Sequence, residues 1–215
     1  MSGLPPIGAR PRQRRSVATR ERYYQATLRR FIDDGVEGTR VEDIVADAGG
    51  SWGAYHHYFP RKEDVLLERT VRELRETVKP RVDAALADRR TSIRKAVEDV
   101  FVGLTSSELP RHVHGAVMRE VAAQPQRLAA MLDEGELPVV GYVALLLQAG
   151  QQRGEVHTEA DPFSLAAVLS GGTMFPVIQT AYGPPLRGLE GAVGPPDPAE
   201  AARRILAISW RAVAA

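Results

Sequence analysis

Histidines and carboxylates are the residues of this chain that could hold a metal ion or move protons. His112 and His114 are two residues apart, so on a helix their side chains point in different directions and cannot chelate one ion together. His157 stands alone beside Glu155. The chain has no cysteine, which excludes disulfides, thiolate nucleophiles and zinc sites that use sulfur. We therefore expect no metal site.

Recognisable catalytic and cofactor-binding motifs are absent from the sequence. No GxGxxG or phosphate-binding loop occurs, no serine follows a glycine-rich elbow, and no motif places a pair of carboxylates. We therefore expect neither an enzyme nor a bound cofactor. No apolar run reaches the length of about 18 residues that a bilayer requires, and the N-terminal stretch has no signal-peptide core. These features predict a cytoplasmic protein that does not contact a membrane.

Charge is distributed unevenly along the chain. Residues 1–62 contain eleven Arg or Lys and seven Asp or Glu, a net charge of +4, whereas the whole chain has +1. A basic end on a mildly acidic body is typical of a polyanion-binding region. Residues 1–18 combine three prolines with four arginines, which predicts a disordered basic arm. Such an arm either follows DNA phosphates and the minor groove or is a solvated tail without a specific role.

Helical periodicity begins at residue 19 and defines the first predicted helix. Tyr24, Leu28 and Phe31 fall on one face of a helix over residues 19–34, with arginines on the other face. Gly35 follows as its end. This pattern is typical of a helix that packs on one side only.

Two short helices are predicted next, joined by glycines. Residues 39–42 form a capping-box pattern at the start of the second helix. Gly49 and Gly50 supply a turn with positive φ, and Ser51 caps a third helix that Pro60 ends. These are the proportions of a helix-turn-helix, although spacing alone is equally consistent with a plain helical hairpin.

Longer helices are predicted over the rest of the chain, and no alternating pattern argues for a strand. They cover residues 62–88, 91–106, 110–123, 125–152, 161–182 and 197–214. Pro80, Pro138 and Pro176 are expected to bend three of them, and the proline-rich residues 183–196 predict a loop. The predicted fold class is all-α, with about nine helices.

A resemblance to the TetR family of bacterial transcriptional regulators covers the first helices. It is carried by TRER at 19–22, Phe31 with Gly35, TRVEDIVADAG at 39–49, SWGAYHHYF at 51–59 and KED at 62–64. Two further stretches, VMREVAAQP at 117–125 and GQQRGEV at 150–156, are similar to parts of the family's regulatory domain. The resemblance implies an N-terminal three-helix helix-turn-helix DNA-binding domain over residues 19–62. It also implies a C-terminal helical ligand-binding and dimerisation domain over residues 63–215.

The resemblance further implies how such a protein works. A homodimer binds a near-palindromic operator in double-stranded DNA, its last two helices form the dimer interface, and a small-molecule effector in the body releases the DNA. The family contacts bases and phosphates at positions around the third helix. In this chain those positions are Thr39, Arg40, Ser51, Trp52, Gly53, Ala54, His56, His57, Tyr58 and Lys62.

Three residues depart from the family's pattern, and a fourth is expected in the core. Gly50 replaces a small aliphatic residue, Trp52 a basic or polar one, and His56 a tyrosine that contacts phosphate. Trp52 can still contact a thymine methyl group, and His56 can still donate to a phosphate. Tyr55 stands where the family has a core leucine and lies four residues before Phe59, which favours a buried position.

Apolar and aromatic residues of the body are candidates for lining a ligand cavity, although each also suits an ordinary core. The candidates are Phe101, Met118, Met131, Tyr142, Phe163, Met174 and Phe175. The expected function is a sequence-specific transcriptional repressor that a small, largely hydrophobic ligand releases from its operator. Two alternatives stay open: a transcriptional activator of the same fold, and a helical ligand-binding protein that has lost DNA binding.

Overall fold

The computed structural model describes residues 11–106, 108–159, 161–177 and 197–215. All regular elements in these residues are helices, apart from one isolated pairing of Val156 with Ala214, which confirms the predicted all-α class. The chain divides into two compact units, Met1–Leu67 and Glu68–Ala215. Within the described ranges, no helix is both long enough and apolar enough to cross a bilayer.

The first unit opens with three helices, α1 (Pro11–Gly38), α2 (Val41–Ala48) and α3 (Trp52–Tyr58). Helix α1 begins at Pro11 rather than at Thr19, because proline suits a first helical turn and the arginines that follow are good helix formers. The remaining residues of the predicted arm, 1–10, lie outside the described residues. Gly35 interrupts α1 with a φ of 74°, which confirms the predicted stop.

The start of α2 differs from the sequence prediction. Arg40 is the N-cap residue, and no side chain bonds an amide there. Thr39 is buried, and its Oγ1 donates to Gly35 O over 2.7 Å. The predicted capping box is therefore wrong, because the threonine hydroxyl satisfies a carbonyl group near the end of α1 instead.

The turn between α2 and α3 agrees with the prediction in two of three respects. Gly49 has a φ of 60°, as a helix C-cap of this kind requires. Ser51 Oγ accepts a hydrogen bond from Ala54 N over 3.3 Å, which confirms the predicted cap of α3. Gly50 does not have a positive φ, so the prediction was wrong there and this glycine has another role.

The predicted helix over residues 62–88 is nearly continuous but changes its geometry. Helix α4 (Asp64–Glu73) passes into a π-helical segment (Leu74–Val78) and then into α5 (Lys79–Ala87). The π-helical segment ends two residues before Pro80, whose ring and missing N–H disfavour regular α-helical hydrogen bonding. The other elements are α6 (Ile93–Thr105), α7 (Arg111–Ala123), α8 (Pro125–Ala130), α9 (Val139–Arg153), α10 (Pro162–Val177), α11 (Pro198–Ser209) and a final 3₁₀ turn (Trp210–Ala212).

The single helix predicted over residues 125–152 is instead two helices, α8 and α9. Pro138 is the N-cap residue of α9 and does not bend a continuous helix. Proline favours an extended conformation in the residue before it, and Gly135, with a φ of 81°, also leaves the helical region. The intervening segment therefore cannot continue α8. The predicted loop over residues 183–196 lies outside the described residues.

Candidate functional site

The outer face of α3 carries the most exposed of the predicted DNA-binding residues. Ser51, Trp52, Gly53 and His57 are exposed, and Trp52 keeps 57% of its surface accessible. Arg40 is also exposed, at the start of α2. Small residues beside one large aromatic ring allow a helix to approach base edges closely and to contact a thymine methyl group.

The inner face of α3 is held by aromatic residues. Tyr55 is fully buried and its ring lies 5.8 Å from that of Phe59, which confirms its predicted place in the core. Burial raises the pKa of Tyr55 to about 12, and its hydroxyl lies 3.2 Å from Thr27 Oγ1 on α1. Thr27 itself donates to Tyr23 O over 2.8 Å. These contacts fix which face of α3 points outward.

Tyr23 holds the backbone immediately before α3. Its hydroxyl accepts a hydrogen bond from Ser51 N at 2.9 Å and donates to Ser51 O at 3.1 Å. A Cβ atom at Gly50 would lie 2.6 Å from Tyr23 Cζ and closer still to the hydroxyl. Gly50 therefore makes room for Tyr23, which gives a physical reason for its departure from the small aliphatic residue of the family pattern.

Three of the predicted DNA-binding residues have partners inside the protein. Lys62 Nζ donates to Val36 O and to Thr39 O, both at 2.7 Å. His56 Nδ1 lies 3.2 Å from Pro60 O, and its Nε2 is buried. Thr39 is buried, as described above. Lys62 and Thr39 thus bond carbonyl groups near the end of α1, and His56 contacts the residue that follows the end of α3.

The remaining predicted contacts, Ala54 and Tyr58, are half-buried on α3. The hydroxyl of Tyr58 lies 3.1 Å from Ser16 Oγ on α1. Helix α2 is also tied to α1, since Arg30 bonds both carboxylate oxygens of Asp47 at 2.6 and 2.9 Å. This guanidinium holds the pKa of Asp47 below its usual value. The three helices are therefore joined by polar contacts as well as by apolar packing.

A cavity of about 210 Å³ lies within the second unit, bordered by α4, α6, α7, α9 and α10. Met118 and Met174 are the predicted cavity residues that line it. The described residues that line it are Arg69, Thr70, Glu73, Gly103, Leu104, Ser106, Leu109, His114, Val117, Met118, Val121, Ala122, Val139, Ser170 and Met174. Most of this surface is apolar, which suits a hydrophobic ligand.

The structure does not bring the other candidate cavity residues to this site. Phe101 and Tyr142 are buried in the main core of the second unit. Met131 is half-buried away from the cavity, and Phe163 is 60% exposed. The side chain of Phe175 lies outside the described residues. Residue type alone does not distinguish these positions, because core and cavity lining use the same apolar side chains.

The polar residues of the lining were missed by the sequence analysis, which weighed His114 only as a metal ligand. His114 is buried, its Nε2 lies 2.9 Å from Leu104 O, and burial lowers its pKa. The positions 114, 117, 118 and 121 share one face of α7, and this spacing was the available signal. No group of metal-ligating residues occurs in the part of the chain that the structure describes.

The other polar side chains of the described lining are the ion pair of Arg69 with Glu73 and the hydroxyl groups of Thr70, Ser106 and Ser170. Arg69 and Glu73 lie one turn apart on α4 and pair at 2.8 Å. Ser170 Oγ on α10 is buried and has no hydrogen-bond partner among the described residues. Among the described residues, the cavity therefore combines a mainly apolar wall with one balanced pair of charges and a buried hydroxyl, that of Ser170, without a hydrogen-bond partner.

Comparison with known proteins extends these observations. Residues 24–68 match the family model described as "Bacterial regulatory proteins, tetR family". No curated protein matches the chain. Similar folds occur in the Thermus thermophilus FadR, a TetR family transcriptional repressor in complex with lauroyl-CoA. That match has 20% identity and a TM-score of 0.65, and it covers 88% of this chain and 92% of the other.

Two further solved structures have the same fold. RolR in complex with resorcinol is 18% identical with a TM-score of 0.62, and the match covers 93% of this chain and 89% of the other. SmeT, the repressor of the Stenotrophomonas maltophilia multidrug efflux pump SmeDEF, is 21% identical with a TM-score of 0.60, covering 93% and 92%. At these identities the likeness shows the fold.

The first unit has the helix-turn-helix of DNA-binding transcriptional regulators, and the whole chain has the fold of solved regulators of this kind. Residues 24–68 place the first unit in the tetR family of bacterial regulatory proteins. Proteins of this family are in general transcription factors rather than enzymes.

Proposed function

We propose that this chain is a homodimeric repressor of transcription. It binds a near-palindromic operator through α3 and leaves the DNA when a small, largely hydrophobic ligand fills the cavity of the second unit. The outward-facing surface of α3 is the observation that carries the proposal. Tyr55 and Phe59 are buried on the inner face of this helix. Trp52 and Gly53 are exposed on its outer face, where they can contact DNA. In this proposal residues 19–62 bind DNA and residues 63–215 bind the ligand and the second subunit.

The proposed DNA contacts divide into two groups by exposure. Arg40 contacts phosphate, and Trp52 contacts the methyl group of a thymine. Gly53, Ala54 and Ser51 allow close approach, while His57 and Tyr58 add contacts with the DNA backbone. Thr39 is buried, while Lys62 Nζ and His56 Nδ1 lie against backbone carbonyl groups and His56 Nε2 is buried, so these three residues act indirectly.

Exposed apolar residues on the last helices support the proposed homodimer. Phe163 and Val168 on α10 are 60% and 64% exposed, and Ile208 on α11 is 71% exposed. Helices α10 and α11 pack against each other, and exposed large apolar side chains on such a pair are candidates for a protein interface. A second copy of this chain is the proposed occupant, since a two-fold interface uses the same surface of both subunits.

Helix α4 is the proposed connection between ligand and DNA. It begins at Asp64 in the first unit, and its later residues Arg69, Thr70 and Glu73 line the cavity. A ligand that packs against these residues can bias the position of the whole helix. Coupling of this kind is a difference in ligand affinity between two conformations, usually about 1–3 kcal/mol.

The size of the cavity favours a compact ligand. Relatives of the same fold were solved with lauroyl-CoA and with resorcinol. Ligand sites typically have volumes of about 300–1,000 Å³, and this cavity, of about 210 Å³, is smaller. A molecule close to resorcinol in size therefore suits it better than a long acyl chain.

Selection of bound sequences from random DNA, followed by a mobility-shift assay with non-specific competitor, tests the proposal. We expect one enriched, near-palindromic sequence and a discrete shift that survives the competitor. The absence of any enriched sequence would favour the alternative of a ligand-binding protein without DNA function. Equal ligand affinity of free and DNA-bound protein would exclude release by the ligand.

The salt dependence of binding separates direct phosphate contacts from support. Arg40→Ala should lower the slope of log affinity against log salt by about one, because one phosphate contact is lost. Arg94→Ala, at an exposed position on α6, is the matched control and should leave the slope unchanged. Lys62→Met should instead lower the melting temperature. An unchanged slope for Arg40→Ala would remove Arg40 from the phosphate contacts.

A further inference from the structure

The charges around the cavity limit what it can bind. Among the described residues of the lining, Arg69 and Glu73 are the charged ones, and they pair with each other. Their charges cancel, so neither is left to balance an ion bound in the cavity. A charged ligand would lose its hydration without gaining a partner of opposite charge, which is strongly unfavourable.

The lining also lacks the usual partners of organic cations. Quaternary and other alkyl ammonium groups are recognised through the faces of aromatic rings. None of the described lining residues is Phe, Tyr or Trp. His114, the ring that is present, uses Nε2 in the contact with Leu104 O. An uncharged ligand is therefore favoured over both an anion and a cation.

The hydroxyl group of Ser170 is a possible hydrogen-bonding site for a ligand in the cavity. Ser170 Oγ is buried against the cavity and has no hydrogen-bond partner among the residues that the structure describes. A buried hydroxyl without a partner is unfavourable, and a ligand group that bonds to it removes that cost. Met174, the other described residue of α10 that lines the cavity, has an apolar and flexible side chain. The ligand thus needs one hydroxyl or carbonyl group on an otherwise apolar body.

We propose that the cavity binds an uncharged molecule of single-ring size that forms one hydrogen bond with Ser170 Oγ. A cavity of about 150 Å³ is sufficient for benzene, and the cavity of about 210 Å³ leaves room for a ring with two small substituents. The inference deepens the proposed function by naming the ligand class. It depends on that function only in treating the ligand as the effector.

Four probes of nearly equal size test the inference: 4-methylphenol, toluene, 4-methylbenzoate and 4-methylbenzylammonium. Each is titrated calorimetrically into the full chain at pH 7.5 without DNA. We expect 4-methylphenol to bind at least ten-fold more tightly than either ion, with toluene in between. Tightest binding by the benzoate or the ammonium ion would overturn the inference. Failure of all four probes to bind at millimolar concentration would overturn it as well.

The role of Ser170 is tested with matched variants. Ser170→Ala should reduce the affinity for 4-methylphenol to that for toluene and leave the toluene affinity unchanged. Ser92→Ala, at an exposed serine before α6 that forms no cap bond, should change neither affinity. An equal loss for both probes in Ser170→Ala would show a packing defect and contradict the hydrogen bond. These titrations contain no DNA and therefore test only ligand binding. A probe that binds here but does not release DNA in a separate mobility-shift assay would count only against the proposed repressor mechanism.

Discussion

The two units of the molecule differ in how completely their space is filled. In the first unit, the turn before α3 leaves no room for a single additional carbon atom, because the Tyr23 ring occupies the position of a Gly50 side chain. In the second unit, a cavity of about 210 Å³ stays between helices. A surface that must match DNA benefits from one fixed geometry, whereas a ligand site needs unfilled volume. Adding or removing small groups in each unit tests this difference.

Gly50→Val is expected to have the largest effect. The new side chain meets the Tyr23 ring, and overpacking of this kind typically costs about 1–3 kcal/mol or more. We expect a lower melting temperature and a loss of specific DNA binding. Thermal unfolding and a mobility-shift assay measure the two effects.

Two variants show whether the clash with Tyr23 is the cause. Gly53→Ala is the matched control, because a Cβ atom at Gly53 meets no atom within 4 Å, and its stability should stay equal or rise. The double variant Tyr23→Leu with Gly50→Val should recover part of the lost stability, because the shorter side chain leaves room for the valine. Additive losses in the double variant would contradict the proposed exchange of volume.

Ser170→Leu is the corresponding addition of volume in the second unit. It should raise the stability of the protein, whereas Gly50→Val should lower it. Leucine removes the unsatisfied hydroxyl and fills part of the cavity, and changes that fill cavities commonly stabilise by about 0.5–2 kcal/mol. We expect a higher melting temperature together with loss of ligand binding. Trp210 is buried in this unit, so its fluorescence in a Trp52→Phe background reports the unfolding of the second unit. A destabilised Ser170→Leu protein would mean that the cavity cannot accept more volume.

Tyr23→Phe removes only a hydroxyl group and should have a smaller effect. The ring keeps its edge contact with Tyr55, at a centroid distance of 5.4 Å, while the two hydrogen bonds with Ser51 are lost. One hydrogen bond typically contributes about 0.5–1.5 kcal/mol, and because water can replace both of these part-buried bonds, we expect a total loss near the lower end of that range. The expected result is a modest loss of stability and a clear loss of DNA affinity, since the start of α3 is less well held. Unchanged affinity would limit Tyr23 to a packing role.

Several features of the first unit were predicted correctly from local signals, although the capping box at the start of α2 was not. Glycine at 35 and 49, serine at 51 and the four-residue spacing of Tyr55 and Phe59 each act on neighbouring residues, and the structure bears all of them out. The partnership of Tyr23 with Gly50 joins residues that are far apart in sequence. No local pattern records it, and the glycine was therefore interpreted as a turn residue.

The second unit was harder to predict because its site is an empty space between helices. Met118 and Met174 line the cavity, whereas Phe101 and Tyr142 are core residues with the same apolar character. Side-chain type reports burial but not which neighbours leave a gap. His114 illustrates the reverse error, since weighing it for metal chemistry overlooked its place on the apolar face of α7.

The smallest effect expected is a pH dependence that arises in the second unit. Burial lowers the pKa of His114 below the ordinary value of 6.5, and Arg69 and Glu73 are the charged groups that act on it. Below about pH 6.5 the unfolded chain therefore takes up a proton that the folded protein does not, and the free energy of unfolding falls as the pH decreases. One proton gives a slope of at most about 1.4 kcal/mol per pH unit.

Chemical denaturation between pH 7.5 and 5 measures this slope. His114→Gln keeps a group that can donate to Leu104 O and should show a weaker pH dependence than the unsubstituted chain. His112→Gln, at an exposed position on the same helix, should behave like the unsubstituted chain. If His114→Gln keeps the full slope, the buried histidine does not set the acid sensitivity. The His114 ring also lines the cavity. A bound ligand should therefore exclude water from this ring, lower its pKa further and steepen the pH dependence of the free energy of unfolding.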